Sequence, residues 1–237
     1  GGTSIKHGVL DENAIIKECN QTKTEAWLGG AAVLDKVKTI GKQYKEQYEN
    51  IEGICISTAG MVDPEEGKIV YAGELMPGYT GTCIKKELEK ALEMPCEVEN
   101  DVNCAGLAEY VSGSAKESHI MFCATVGTGI GGCAIVNGRV FHGASNSACE
   151  VGYIPMGDSD FQTLGASSIL VRKVAEKKIE PLDMWDGKKI FALAEKGDKV
   201  CISAIKEMCD VLGKGLATIC YVLNPLWSRK KFLKMKS

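Results

Sequence analysis

A run of glycines set between two apolar stretches constrains this chain more than any other feature. Gly127-Thr128-Gly129-Ile130-Gly131-Gly132 follows His119 to Val126 and precedes Cys133 to Val136. The first stretch reads as a buried strand and the second as another, closed by an Asn137-Gly138 hairpin turn. Gly127, Gly129 and Gly132 satisfy G-x-G-x-x-G, the dinucleotide-binding pattern. That mechanism needs a helix N-terminus behind the glycines to hold a pyrophosphate, whereas Cys133-Ala134-Ile135-Val136-Asn137-Gly138 predicts strand and hairpin. A G-x-x-x-x-G-K-[ST] phosphate loop does not occur in the sequence. Two readings remain: a plain tight hairpin, or a turn whose unshielded N–H groups and Thr128 hydroxyl surround phosphate oxygens. Gly1-Gly2-Thr3, ahead of the first strand, has the same character, and two such loops suggest a phosphate clamp.

Composition bounds what the rest can be. At 237 residues, 45% hydrophobic and 25% charged, the chain can bury one large core or two modest ones. Lys and Arg number 28 against 31 Asp and Glu, a net charge of −3, so no basic excess drives nucleic-acid binding. The most apolar run, Ile120 to Val126, falls far short of the roughly 20 residues that span a bilayer. The first residues lack the apolar segment of a secretory signal, which places the chain in the cytoplasm. Its 11 cysteines form no C-x-x-C pair, and Cys55, Cys123, Cys133 and Cys220 lie in apolar stretches, so they are expected as reduced core residues. His7, His119 and His142 do not pair with cysteines at zinc-ligand spacing.

Along the chain, Ile5 to Val9 and Ala14 to Cys19 predict a β-hairpin, and Leu28, Ala32, Val37, Ile40 and Tyr44 a helix between about Glu25 and Tyr48. Ile51 to Ser57 predicts a strand running into the loop Thr58-Ala59-Gly60-Met61-Val62-Asp63-Pro64, which Gly and Pro keep from continuing as strand. Ile84, Leu88, Ala91 and Leu92 mark a helix ended by Pro95, and Cys96 to Glu99 a short strand. Asn100 or Asp101 would cap the next helix, through Ala105, Leu107, Ala108 and Val111 to about Gly113. Leu164 to Val174 predicts one helix, and Ile202, Ile205, Met208, Cys209, Leu212, Leu216 and Ile219 one face of a longer one, read as core in preference to a dimer face. The glycine pair at the start suggests a strand missing ahead of Gly1, and the basic stretch after Pro225 suggests a stop within a domain.

Two carboxylates stand out. Asp101, at a strand-to-helix junction beside Asn100, is a cap by the bland reading and a general base by the sharper one, with Asn103 and Glu109 close by. Glu150 lies among apolar neighbours and close to Gly152, so it is either paired or directed at a ligand.

Taken in order, Gly1-Gly2-Thr3-Ser4-Ile5-Lys6, Ser57 to Asp63, Glu99-Asn100-Asp101-Val102-Asn103, Gly127 to Gly132 and Glu150-Val151-Gly152 resemble the ROK family of bacterial sugar kinases and repressors. The resemblance runs to about Pro225. It implies a two-domain α/β chain of the actin-like ATPase and sugar kinase superfamily, with a ribonuclease-H-like sheet in each domain and a cleft between them. The lobes would be residues 1–100 and 101–237. It implies ATP and Mg²⁺ as cofactors, a hexose, N-acetylhexosamine or glycoside as substrate, and a homodimer. By the same resemblance Asp101 is the general base toward a sugar hydroxyl, usually that on C6. Gly60, Asn100, Asp101, Glu150 and Tyr153 would meet the sugar, and Gly1, Gly2, Thr3, Gly127, Thr128 and Gly129 the ATP phosphates.

Departures from the family pattern refine this. Tyr153 stands where zinc-containing members have a histidine, and Asp158-Ser159-Asp160-Phe161-Gln162 where they have a cysteine-rich segment, which implies a zinc-free branch. Gln162 replaces a sugar-contacting glutamate, so glucose preference does not transfer. The family's acidic metal ligand just before Gly1 and its adenine site after Asn224-Pro225 lie outside this sequence. A sugar-sensing repressor fragment and a sugar-binding module without turnover are the alternatives.

Overall fold

The computed structural model describes residues 3–73, 76–113, 115–116 and 118–225. Its Cα positions group into two compact units, Gly1–Cys104 and Ala105–Ser237. The expected phosphate contacts of Gly1 and Gly2 lie outside the described residues.

The first unit opens with an antiparallel hairpin, β1 (Ser4–Leu10) and β2 (Ile16–Lys23), followed by a single 3-10 turn and α1 (Gly30–Gln47). Asp11 closes the turn, its carboxylate accepting from the N–H groups of Asn13 and Ile15 at 3.0 and 2.9 Å. The helix starts later than the sequence suggests, because Glu25 takes a left-handed conformation and Gly29 a φ of 91° that an α-helix cannot use. Next come β3 (Ile54–Thr58), β4 (Met61–Asp63), β5 (Lys68–Tyr71), α2 (Ile84–Leu92), β6 (Cys96–Asn100) and α3 (Asp101–Val111), and the division between units falls inside α3. The segment from Thr58 to Pro64, expected as loop, instead holds β4, paired antiparallel with β5. Gly60 turns the chain, but Pro64 only ends the short strand, so Met61, Val62 and Asp63 are left able to pair.

β3 and β6 run parallel, with Thr58 opposite Asn100, so the turn after β3 and the first turn of α3 emerge side by side. The helices cover this pair with a core of Leu34, Ile69, Ile84, Leu88, Leu92, Cys96 and Val98. Strand alternation sends Cys55 the other way: it is exposed, contrary to its reading as a core thiol.

In the second unit β7 (Ile120–Val126), β8 (Ile130–Val136) and β9 (Arg139–Val140) form an antiparallel meander. The glycine loop is shorter than its sequence suggests. Val126 pairs with Ile130, leaving Gly127, Thr128 and Gly129 as the loop, while Gly131 and Gly132 belong to β8. Strand, not helix, follows the glycines, so no helix N-terminus stands behind them to hold a pyrophosphate in the dinucleotide-binding manner. Asn137 and Gly138 both have positive φ, 49° and 81°, in the turn before β9.

A single turn at Val151–Tyr153 leads to the small ladder of β10 (Pro155–Met156) and β11 (Ser159–Asp160). The helix expected from Leu164 to Val174 is two, α4 (Phe161–Gly165) and α5 (Ser167–Lys178), because Ala166 is extended between them. Behind them lie α6 (Gly187–Glu195), which the sequence pattern did not mark, and α7 (Lys199–Leu223). Met208, Leu212 and Ile219 of α7 are buried with Phe161, Leu170, Val174 and Ile190, which makes most of that stripe core, but Cys209 is exposed, as is Cys19, so neither is the core thiol expected. Cys133 is buried and Cys123 and Cys220 are partly so; all 11 cysteines are free thiols.

Candidate active site

The Asn100-Asp101 junction divides its work between the two side chains. Asn100 is the cap: its Oδ1 accepts from the N–H groups of Val102 and Asn103 at 2.8 and 3.2 Å. Its Nδ2 donates to the Gly60 carbonyl at 2.9 Å, joining the two strand-end loops. Glu99 supports the junction from behind, Oε1 accepting from the Asn100 N–H at 2.7 Å and from Asn103 Nδ2 at 2.9 Å. Asp101 is the first residue of α3 and is exposed. One carboxylate oxygen accepts from the adjacent Val102 N–H at 3.0 Å, a local bond that fixes the side chain's direction.

Gly60 has a φ of 100°, and a Cβ there would stand 2.7 Å from the Tyr71 carbonyl oxygen, so a side chain is excluded on both counts. Beneath this turn the Thr58 and Tyr79 hydroxyls share a 2.6 Å hydrogen bond. Burial pushes the Tyr79 phenol up from its usual value. This buried pair braces the turn and escaped sequence reasoning, since nothing in the spacing of Thr58 and Tyr79 links them. Cys104, three residues beyond Asp101, is also held above the usual thiol range, chiefly by burial. Thr3 is exposed at the start of the first hairpin, its carbonyl accepting from the Thr24 N–H at 3.2 Å.

The second unit assembles a separate group. Gly127 and Thr128 are exposed, and the space where a Gly127 side chain would stand is open for 4 Å. Glu150 precedes the Val151–Tyr153 turn without capping it, and its side chain is exposed. The turn is pressed onto β8: a Cβ on buried Gly152 would lie 2.4 Å from the Ile130 carbonyl oxygen. Val151 is buried in the core, whereas Tyr153 is 62% exposed. Gln162 joins the glycine loop to the Glu150 turn, its Oε1 lying 2.8 and 3.0 Å from the positions a Cβ would take on Gly129 and Gly152. The structure thus brings Gly60, Asn100 and Asp101 together in one unit, and Gly127, Thr128, Gly129, Glu150 and Tyr153 within the other.

The glycine loop fits phosphate. Among the described residues the N–H groups of Thr128 and Gly129 have no acceptor, while the loop's carbonyls are tied back into the protein. No group of three or more His, Cys, Asp or Glu side chains among the described residues could hold a metal ion.

A glycine hairpin between antiparallel strands in one unit, and in the other a parallel strand pair ending at a helix N-terminus with an exposed carboxylate, fit an α/β sugar-kinase fold, and a solved structure agrees. The glucokinase of Streptomyces griseus, in complex with glucose and AMPPNP, superposes with a TM-score of 0.79 at 25% identity, covering 95% of this chain and 78% of that one. In sequence the chain is 47% identical over 226 residues to an uncharacterized protein of Clostridium perfringens. It is 30% identical over 233 residues to the beta-glucoside kinase of Klebsiella pneumoniae, and in both cases the match covers 95% of this chain and 76% of the relative. The ROK family model matches residues 1–227, and the chain belongs to the ROK family.

Proposed function

We propose that the chain is an ATP-dependent sugar kinase that phosphorylates a hexose, an N-acetylhexosamine or a glycoside, at the 6-hydroxyl where the sugar has one. The observation that carries this reading is the division of labour at Asn100-Asp101. Asn100 caps the helix N-terminus through both Val102 and Asn103, while the Asp101 carboxylate, with one oxygen bonded locally to the Val102 N–H, stays exposed at the carboxyl end of two parallel strands. Family membership and the likeness to beta-glucoside kinase and glucokinase supply the substrate class.

In the reaction, a sugar hydroxyl oxygen bonds to the γ-phosphorus as the bond to the ADP oxygen breaks, and the Asp101 carboxylate takes the hydroxyl proton. Little covalent chemistry falls to the protein, so its contribution is to position the groups and stabilise charge. Asn100, Glu150 and Tyr153 are assigned to other sugar hydroxyls, and Gly60 lets the backbone approach. Gly127, Thr128 and Gly129 are assigned to the nucleotide phosphates together with Gly1, Gly2 and Thr3. Magnesium, when bound, would neutralise phosphate charge.

The test is a panel of monosaccharides and β-glucosides, each incubated with ATP and the purified protein, with ADP release and sugar phosphate both measured. At least one sugar giving matched ADP and sugar phosphate is the expected result. Binding of sugars with no transfer from ATP would replace this reading with that of a sugar-binding protein without turnover.

A further inference from the structure

The two amides that lack acceptors in the glycine loop, those of Thr128 and Gly129, belong to two consecutive peptide planes. The carbonyls at the other ends of those planes are those of Gly127 and Thr128. A single residue holds both: the Ser168 hydroxyl donates to the Thr128 carbonyl at 2.6 Å, and the Ser168 N–H donates to the Gly127 carbonyl at 3.4 Å. Because a trans peptide is planar with its C=O and N–H opposed, fixing each carbonyl fixes the direction of the N–H on the same plane. The bonds on either side act alike, with the Ser167 hydroxyl reaching the Val126 carbonyl at 3.5 Å and the Gly127 N–H donating to the Gly129 carbonyl at 2.9 Å.

The break at Ala166 makes this possible. It starts a new helix at Ser167, so the first-turn N–H of Ser168 has no carbonyl within its own helix to bond and is available to the loop. A continuous helix would have spent that N–H internally.

We infer that Ser168 is a positioning residue: its hydroxyl and its N–H preset the Thr128 and Gly129 N–H groups toward phosphate oxygens and keep the loop's carbonyls away from them. The inference rests on the phosphoryl-transfer reading and adds to it a residue outside the glycine loop that sets nucleotide affinity. The gain is preorganisation, since a loop already turned does not lose that freedom when nucleotide binds.

Ser168→Ala removes the hydroxyl, and Ser168→Thr restores one at the same place. Two measurements apply to each variant. Amide exchange over residues 126–132 is followed without ligand, and AMPPNP affinity is compared with the ATP and sugar KM values for the best sugar of the panel. In Ser168→Ala, loop exchange should quicken and AMPPNP Kd and ATP KM should rise about five- to tenfold, as for one lost hydrogen bond. The sugar KM should stay within about twofold, and Ser168→Thr should restore wild-type exchange and nucleotide binding. Unchanged exchange and ATP KM in Ser168→Ala, an equal rise in both KM values, or no rescue by threonine overturns the inference alone. Wild-type protein that neither binds AMPPNP nor phosphorylates any sugar overturns the phosphoryl-transfer reading and the phosphate role of Ser168 with it; loop exchange then still reports whether the tether exists.

Discussion

Gly152 holds the turn that follows Glu150, the carboxylate proposed to meet the sugar, close against β8. A methyl group at Gly152 would meet the Ile130 carbonyl, which is fixed in β8, so the Val151–Tyr153 turn must lift for Gly152→Ala to fit. Overpacking of this kind costs about 1–3 kcal/mol. Denaturant unfolding of Gly152→Ala should show that loss, and sugar affinity should fall as the neighbouring Glu150 is displaced. Glu150→Gln should leave stability unchanged and weaken sugar binding by about 1–3 kcal/mol, as for a lost charged hydrogen bond. Calorimetric titration with the best sugar decides it, and equal affinities would remove Glu150 from the sugar's surroundings. Glycine behind a carboxylate is a local pattern, and so it was legible in the sequence. The Ser168 hydroxyl was not, because it meets Thr128 across 40 residues and no local pattern links the two.

At the level of elements, α5 and α7 are tied together by a pair of charges. Asp198 caps α7, accepting from the Cys201 N–H at 2.9 Å, and also pairs with Lys178 at the end of α5. The Lys178 ammonium, aided by the Cys201 N–H, pulls the Asp198 carboxyl from its usual 3.8 down to about 2. A carboxylate more acidic in the folded state binds fewer protons than in the unfolded chain, so its contribution to stability is complete above pH about 4 and is lost as pH falls toward 2. Urea unfolding across that window should show a smaller decline for Asp198→Asn than for the wild type; identical profiles would mean the pair adds nothing. Segments with a clear apolar pattern were legible: β7, α2 and α7 lie close to where the apolar run and the helical stripes put them, whereas β8 begins at Ile130, three residues earlier than the strand expected from Cys133. Two other misses share a cause. β4 pairs only because β5 returns beside it, and the break at Ala166 is stabilised by bonds that Ser167 and Ser168 make to a distant loop. Neither partner can be read from the local sequence.

At the scale of the molecule, the described residues form two cores, one around Leu88 and Ile69 and one around Phe161, Ile190 and Met208. Leu88 is fully buried and Phe161 1% exposed. Leu88→Ala should cost about 2–5 kcal/mol and Phe161→Ala about 3–5 kcal/mol. Hydrogen exchange should localise the first loss to residues 1–104 and the second to 105–225, whereas equal loosening throughout would show a single cooperative core. A separate core for each unit also explains why composition could state the size of the buried interior but not its partition. In the proposed reaction Asp101 is the group that takes the proton from the sugar hydroxyl. The most direct test is Asp101→Asn, with ATP-dependent phosphorylation of the best sugar and calorimetric sugar affinity measured on the same preparation. The amide keeps the carboxylate's shape but not its basicity, so turnover should fall by roughly 10²–10⁴-fold while sugar affinity stays within about threefold; wild-type turnover in that variant would contradict the account.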